Sequence, residues 1–155
     1  MLKFPIYLDY SATTPVDPRV AEKMIPYLTE LFGNPASRSH SYGWIAERAV
    51  EEAREEVARL VNADSKEIIW TSGATESNNQ VLTHVSRTLP GDQQIWLSAV
   101  EHPSVLGPAR FYFPNRVRWI PASRNGRIQA EILKEWLRQS RPGLVGVMAA
   151  NNETG

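Results

Sequence analysis

Apolar residues recur every three or four positions between residues 42 and 61, at Ile45, Ala49, Ala53, Val57 and Leu60, which predicts an amphipathic helix. The opposite face carries Glu47, Arg48, Glu51, Glu52, Arg54, Glu55, Glu56 and Arg59, and reads as a solvated face or as a partner surface. Ahead of it, residues 6–10 are a short β-prone stretch closing on Asp9, Ser11 and a turn at 13–15. Asp17 is placed to cap a helix with Pro18 at its first position, running to about Leu31. Pro26 inside that segment predicts a kink or an early end. Residues 33–40 are polar and read as a loop.

After Asn62 the pattern becomes repeated strand and helix. Strands are expected at 67–71, 94–98, 117–120 and 144–149. Helices are expected from the Ser72-Gly73-Ala74-Thr75 turn to about Thr88, over 103–112, and through Ile128, Ile132, Leu133, Trp136 and Leu137. Nearly unbroken apolar strands separated by helices imply an α/β fold, a three-layer sandwich with a mainly parallel sheet. With no repeat and no long linker, one domain plus an N-terminal arm is expected. The last strand runs into Asn151-Asn152-Glu153-Thr154-Gly155, a loop on the rim where open α/β sheets bind ligands. The expectation is therefore an incomplete fold, continued beyond residue 155 or completed by a second polypeptide.

Composition narrows the function only slightly. The 155 residues hold 17 Lys+Arg and 17 Asp+Glu, so there is no global field to draw nucleic acid or an anionic membrane. No apolar run approaches the roughly 18 residues that span a bilayer, and the start, MLKFPIYLDY, lacks the layout of a secretory signal. An intracellular, cytoplasmic location is the expectation. Zero cysteines exclude a disulfide framework and a thiolate within these residues. The three histidines, His40, His84 and His102, do not form a metal-binding spacing. The tryptophans at 70, 96 and 119 fall in predicted strands and read as core rather than as a nucleic-acid stacking platform.

Three candidate features gather at predicted strand ends. Residues 71–79, Thr-Ser-Gly-Ala-Thr-Glu-Ser-Asn-Asn, join a strand to a helix. Small residues and free helix-start amides there suit a phosphate, with the Thr75 hydroxyl adding a bond; a simple cap by Ser72 or Thr75 is the other reading. His102 follows the second strand, with Pro103 suited to the next helix start. Its imidazole reads as a ring to stack on a flat cofactor and exchange protons, or as a hydrogen-bonded structural histidine. Asn151, Asn152 and Glu153 end the fourth strand at the same rim, which suggests one shared pocket. His84 lies within a helix and reads as surface, and the role of His40 is open.

Taken in order, Tyr7-Leu8-Asp9-Tyr10-Ser11-Ala12-Thr13-Thr14-Pro15, Phe32-Gly33-Asn34-Pro35-Ala36-Ser37, Thr71-Ser72-Gly73-Ala74-Thr75-Glu76-Ser77-Asn78, Glu101-His102 and Asn151-Asn152-Glu153-Thr154-Gly155 resemble the cysteine desulfurases. The branch is the one serving iron–sulfur cluster assembly and nitrogenase maturation. The resemblance covers essentially the whole chain but about the first two fifths of a family member. It implies the aspartate-aminotransferase-like fold of fold type I pyridoxal-phosphate enzymes, with residues 1–14 an arm of the small domain and 15–155 the first part of the large domain.

It further implies a homodimer that converts L-cysteine to L-alanine and hands sulfur, as an enzyme-bound persulfide, to an iron–sulfur scaffold or another acceptor protein. By the same resemblance, Ala74 and Thr75 bind the phosphate of pyridoxal 5'-phosphate. His102 stacks on the pyridine ring and helps proton transfer, Asn152 bonds the phenolic oxygen, and the 33–40 loop neighbours the entrance. The chain departs from the family in three absences. None of Lys3, Lys23, Lys66 and Lys134 stands in the Schiff-base motif, and neither the pyridine-facing aspartate nor the nucleophilic cysteine is present. Gln80 also replaces the apolar residue usual after the Asn pair. Turnover by these 155 residues alone is not expected. A related lyase such as selenocysteine lyase, or a non-catalytic binding or scaffold module, is the alternative.

Overall fold

The computed structural model describes residues 5–154; Lys3 and the closing Gly155 lie outside the described residues. Two compact units are present, Met1–Trp70 and Thr71–Gly155.

In the first unit, helix α1 spans Pro18–Thr29. Asp17 accepts from the Arg19 amide at 2.8 Å and caps it, with Pro18 supplying a first position that has no N–H to satisfy. The Arg19 side chain beside Asp17 holds that carboxyl below its ordinary range. The helix passes through Pro26 and stops three residues later, short of the expected Leu31. The carbonyl of Pro26 accepts from the amides of both Glu30 and Leu31, which closes the last turn.

Helix α2 spans Ser41–Val61 and ends on Asn62 in the left-handed conformation, φ 55°. Its buried positions are Gly43, Ala46 and Ala58, with Ile45, Ala49, Val50 and Val57 half-buried. The predicted apolar stripe is thus rotated, and Leu60, at 85% exposure, lies off it.

Two predicted β segments are corrected. Residues 6–10 form no strand, and a turn at Asp9–Ala12 takes their place. Residues 67–71 find no ladder partner among the described residues. Asp64 and Glu67 instead close a reciprocal capping box around the short 3-10 turn Ser65–Glu67. The Arg54 guanidinium then takes the Ile68 carbonyl, and Trp70 lies under the same cation at 5.6 Å.

The second unit is a three-stranded parallel sheet in the order β2-β1-β3, with β1 at Ile95–Ser98, β2 at Val117–Ile120 and β3 at Leu144–Gly146. Ile95 pairs with Val117 on one side and with Leu144 on the other. Helices α3 (Ala74–Thr88), α4 (Pro103–Tyr112) and α5 (Ala130–Gln139) complete it. All four residues of β1 are buried, as a central parallel strand covered on both faces requires.

Ile95 and Leu97 face a core of Leu82 from α3 with Ala109 and Phe113 from α4 and its end. Trp96, on the other face, meets Trp136 of α5 edge-on at 5.6 Å. Arg118, its register partner on β2, stacks against Trp136 at 3.5 Å. Helix, sheet and helix form the expected three layers.

Among the described residues, the buried Trp96 indole N–H has no acceptor. Trp96→Phe removes that unpaired donor while keeping a ring, so it should cost only about 1–2 kcal/mol in thermal unfolding. A loss like that of a full aromatic truncation would mean the N–H is bonded after all.

The last strand stops at Gly146 rather than Ala149. The Met148 amide leaves the ladder because the Glu101 carboxylate takes it at 2.6 Å.

Candidate functional site

The turn into α3 is built around Gly73, at φ 157° and ψ −179°, a combination essentially confined to glycine. It lets the chain enter the helix with no side-chain cap. Neither Ser72 nor Thr75 caps the helix, contrary to the simple-cap reading. Ser72 gives both its amide and its hydroxyl to Glu76 Oε2, each at 2.7 Å. Those two bonds, the hydroxyl first, hold the Glu76 carboxyl below its ordinary range. On the other side, the hydroxyls of Thr71 and Ser77 meet at 2.8 Å.

The loop is therefore braced from both sides. Among the described residues, no group accepts from the amides of Ala74, Thr75 or Glu76, or bonds the Thr75 hydroxyl. Ala74 and Thr75 are exposed. Unpaired amides at the positive end of a helix, with an adjacent hydroxyl, are a donor set that suits a phosphate group.

His102 is the N-cap of α4 and is followed by Pro103. Its Nδ1 accepts from the Ser104 amide at 3.1 Å and lies 2.8 Å from the Ser104 hydroxyl. That hydroxyl in turn accepts from Asn78 Nδ2 of α3 at 2.9 Å. Asn78, Val81, Glu101, His102, Val105 and Met148 line an open cleft of about 450 Å³ at the ends of β1 and β3. The structural reading of His102 is met at Nδ1, which is tied into the fold, and the ring also edges a cleft, so the two readings do not exclude one another.

Asn151 has a different task. Its Nδ2 donates to the Val100 carbonyl at 3.0 Å, while Oδ1 accepts from the amides of Glu153 and Thr154. It shapes the rim loop and lines a separate cavity of about 250 Å³ with Arg127 and Met148. Asn152 is exposed, makes no side-chain hydrogen bond among the described residues, and lines neither cavity. His102 and Asn78 thus share one cleft. Ala74 and Thr75 open the same helix one turn before Asn78, and Asn152 stands apart on the rim.

Sequence reasoning left three residues without a role, Asn78, Ser104 and Glu101. The His-Pro-Ser order was a usable signal for Ser104, since a cap and the residue two positions on are bonding partners at a helix start. The Glu101–Met148 bond joins positions 47 apart and leaves no local trace. Among the described residues, no group of three or more His, Cys, Asp or Glu side chains is arranged to hold a metal ion, and no helix is long and apolar enough to cross a membrane.

Residues 6–155 match the family described as Aminotransferase class-V. The chain is 52% identical over 158 residues to the cysteine desulfurase IscS of Dechloromonas aromatica, covering 99% of this chain and 39% of the relative. It is also 52% identical over 157 residues to IscS of Rickettsia akari, covering 99% and 38%. Its structure resembles that of a NifS-like protein with a TM-score of 0.84 at 35% identity, covering 97% of this chain and 42% of that one. The apo cysteine desulfurase of Thermococcus onnurineus gives 0.87 at 25% identity, over 97% and 38%. The chain thus spans about two fifths of the length of the relatives it matches. It belongs to the class-V aminotransferase family, as a homologue of the IscS-type cysteine desulfurases.

Proposed function

We propose that this chain supplies the phosphate-binding turn and the ring-facing histidine of a pyridoxal-phosphate-dependent cysteine desulfurase. On this reading, the full protein releases sulfur from L-cysteine, leaves L-alanine, and passes the sulfur as a persulfide to an iron–sulfur scaffold or another acceptor. The observation that carries the reading is the uncapped start of α3. Gly73 enters it in a glycine-only conformation, the loop is braced by Glu76, and three amides are left without acceptors among the described residues. Ala74 and Thr75 would hold the cofactor phosphate there.

With pyridoxal phosphate bound, His102 would lie against the ring and move a proton, and Asn152, exposed on the rim outside the His102 cleft, would bond the phenolic oxygen. The cofactor supplies the electron sink; the protein supplies orientation and proton placement. The Schiff-base lysine, the pyridine-facing aspartate and the persulfide cysteine come from outside these 155 residues, of which none is a cysteine. The working protein is a cytoplasmic homodimer, with residues 1–14 an arm of the small domain and 15–155 the opening part of the large one.

The test is alanine formation from L-cysteine by the full-length protein loaded with cofactor, with an equal amount of sulfide released when excess dithiothreitol is present to reduce the persulfide. Thr75→Val in that protein should weaken cofactor affinity about tenfold, as loss of a hydrogen bond to a charged group implies. Absence of sulfide with L-cysteine, or turnover of L-selenocysteine alone, would overturn the desulfurase reading. Unchanged affinity in Thr75→Val would remove that residue from the site.

A further inference from the structure

His102 Nδ1 cannot carry a proton in this arrangement. The Ser104 amide points its fixed hydrogen at Nδ1, so Nδ1 is an acceptor. The Ser104 hydroxyl is 2.8 Å from the same atom. Because that hydroxyl oxygen already accepts from Asn78, its own hydrogen is available to Nδ1. The donors run in one direction, from the Asn78 amide to the Ser104 hydroxyl to the imidazole. Ser104 is buried at 8% exposure, which keeps water from substituting for it. A neutral imidazole whose Nδ1 only accepts must carry its proton on Nε2. Among the described residues nothing bonds Nε2, and the ring edges the cleft.

We propose that Ser104 and Asn78 are positioning residues that lock His102 as the Nε2–H tautomer, so that the neutral side chain offers the cleft a hydrogen-bond donor rather than a lone pair. Its catalytic use rests on the cysteine desulfurase reading. There, His102 approaches its reaction partner as a donor, and a proton leaving the site is not taken up at Nδ1. The lock itself is a property of this chain and holds whatever occupies the cleft.

The test is the ¹⁵N spectrum of the histidine side chains in the full chain, at a pH where His102 is neutral. The parent should show unprotonated Nδ1 and protonated Nε2 for His102. In Ser104→Ala the backbone donor remains and the hydroxyl is gone. Nδ1 should shift towards the resonance of an unbonded nitrogen, and the minor Nδ1–H form should grow about fivefold, the size of one neutral hydrogen bond. Asn78→Asp should act in the same direction without touching Ser104, because a carboxylate accepts from the hydroxyl and draws its hydrogen away from the ring. Ser104→Thr, which keeps a hydroxyl, should restore the parent signature.

Protonated Nδ1 in the parent, or a Nδ1 resonance unmoved in both variants of preserved fold, would overturn the lock. If the signature is found but the full-length protein releases no sulfide from L-cysteine, the lock stands and the desulfurase reading fails. Sulfide release by a parent whose Nδ1 is protonated overturns the lock and leaves the desulfurase reading in place.

Discussion

Glu101→Ala is expected to cost about 3–5 kcal/mol of folding stability, because one carboxylate oxygen serves two donors that have no other acceptor among the described residues. Glu101 Oε1 accepts from the Ser98 hydroxyl at 2.7 Å and from the Met148 amide at 2.6 Å. Ser98 ends β1 and is fully buried, so truncation leaves a hydroxyl stranded at 0% exposure. The Met148 amide loses its partner just where β3 has left the ladder. Each bond to a charged acceptor is worth about 1.5–3 kcal/mol, and removing a shared acceptor forfeits both.

The consequence is local as well as global. Met148 lines both the cleft beside His102 and the smaller cavity beside Asn151, so the rim should loosen as one piece. Glu101→Gln keeps the accepting oxygen without its charge and should lose less than half as much. Thermal unfolding gives the totals, and amide exchange at Met148 gives the local opening. An alanine variant that melts with the parent and protects Met148 equally would show that the clasp holds nothing.

What the sequence made legible, and what it hid, divide by range. Helices α2, α3 and α4 were readable because apolar periodicity and the turn residues that start a helix are local properties of consecutive residues, although the simple cap offered as one reading of α3 is not made. The strand β1 was readable because a central parallel strand needs apolar residues on both faces, and Ile-Trp-Leu supplies them. The 67–71 segment was misread because β-prone composition does not provide a partner. A strand exists only when another backbone accepts its donors, and here a capping box and Arg54 took the neighbouring groups. The far end of β3 was overextended for a related reason, since a side chain from position 101 intercepted the ladder at Met148.

The candidate site shows the same division. Gly73, Ala74 and Thr75 could be singled out from one short run, because the chemistry of a helix start is written in adjacent residues. His102 could be singled out too, but its structural and functional roles looked like alternatives. They are compatible because an imidazole has two nitrogens, and the fold uses only Nδ1. The Asn78–Ser104 bond spans 26 positions and joins two helices. No periodicity encodes such a pair; the packing of α3 against α4 creates it. The rim loop was expected to present its asparagines to one pocket, yet Asn151 spends its amide on the backbone, while the Asn152 side chain makes no hydrogen bond among the described residues.

Gly43→Ala is expected to destabilise the first unit by about 3 kcal/mol, the upper end for forcing an extra carbon into a closed contact. A Cβ built on Gly43 would overlap the backbone oxygen of Ser37, with the Ser37 carbonyl carbon at 2.7 Å and its Cβ at 2.9 Å. Backbone cannot swing aside as a side-chain tip does, so either the 33–40 loop lifts or the first turn of α2 unwinds. Both routes break the same bonds. The Gly43 amide donates to His40 Nδ1 at 3.3 Å, and the Trp44 indole donates to the Arg38 carbonyl at 2.8 Å.

Gly33 approaches the backbone of Tyr42 in the same way, so the loop is clamped onto the helix start at two places. Gly91→Ala is the matched control, since a Cβ there meets nothing within 4 Å. It should be neutral or stabilise by about 0.4–1 kcal/mol through the unfolded chain. Thermal unfolding of the two variants separates close approach from glycine content, and proteolysis across residues 34–40 should quicken in Gly43→Ala alone. Equal melting of both variants with the parent would mean that the loop does not rest on α2 in solution, and the position of His40 as its cap would have to be given up.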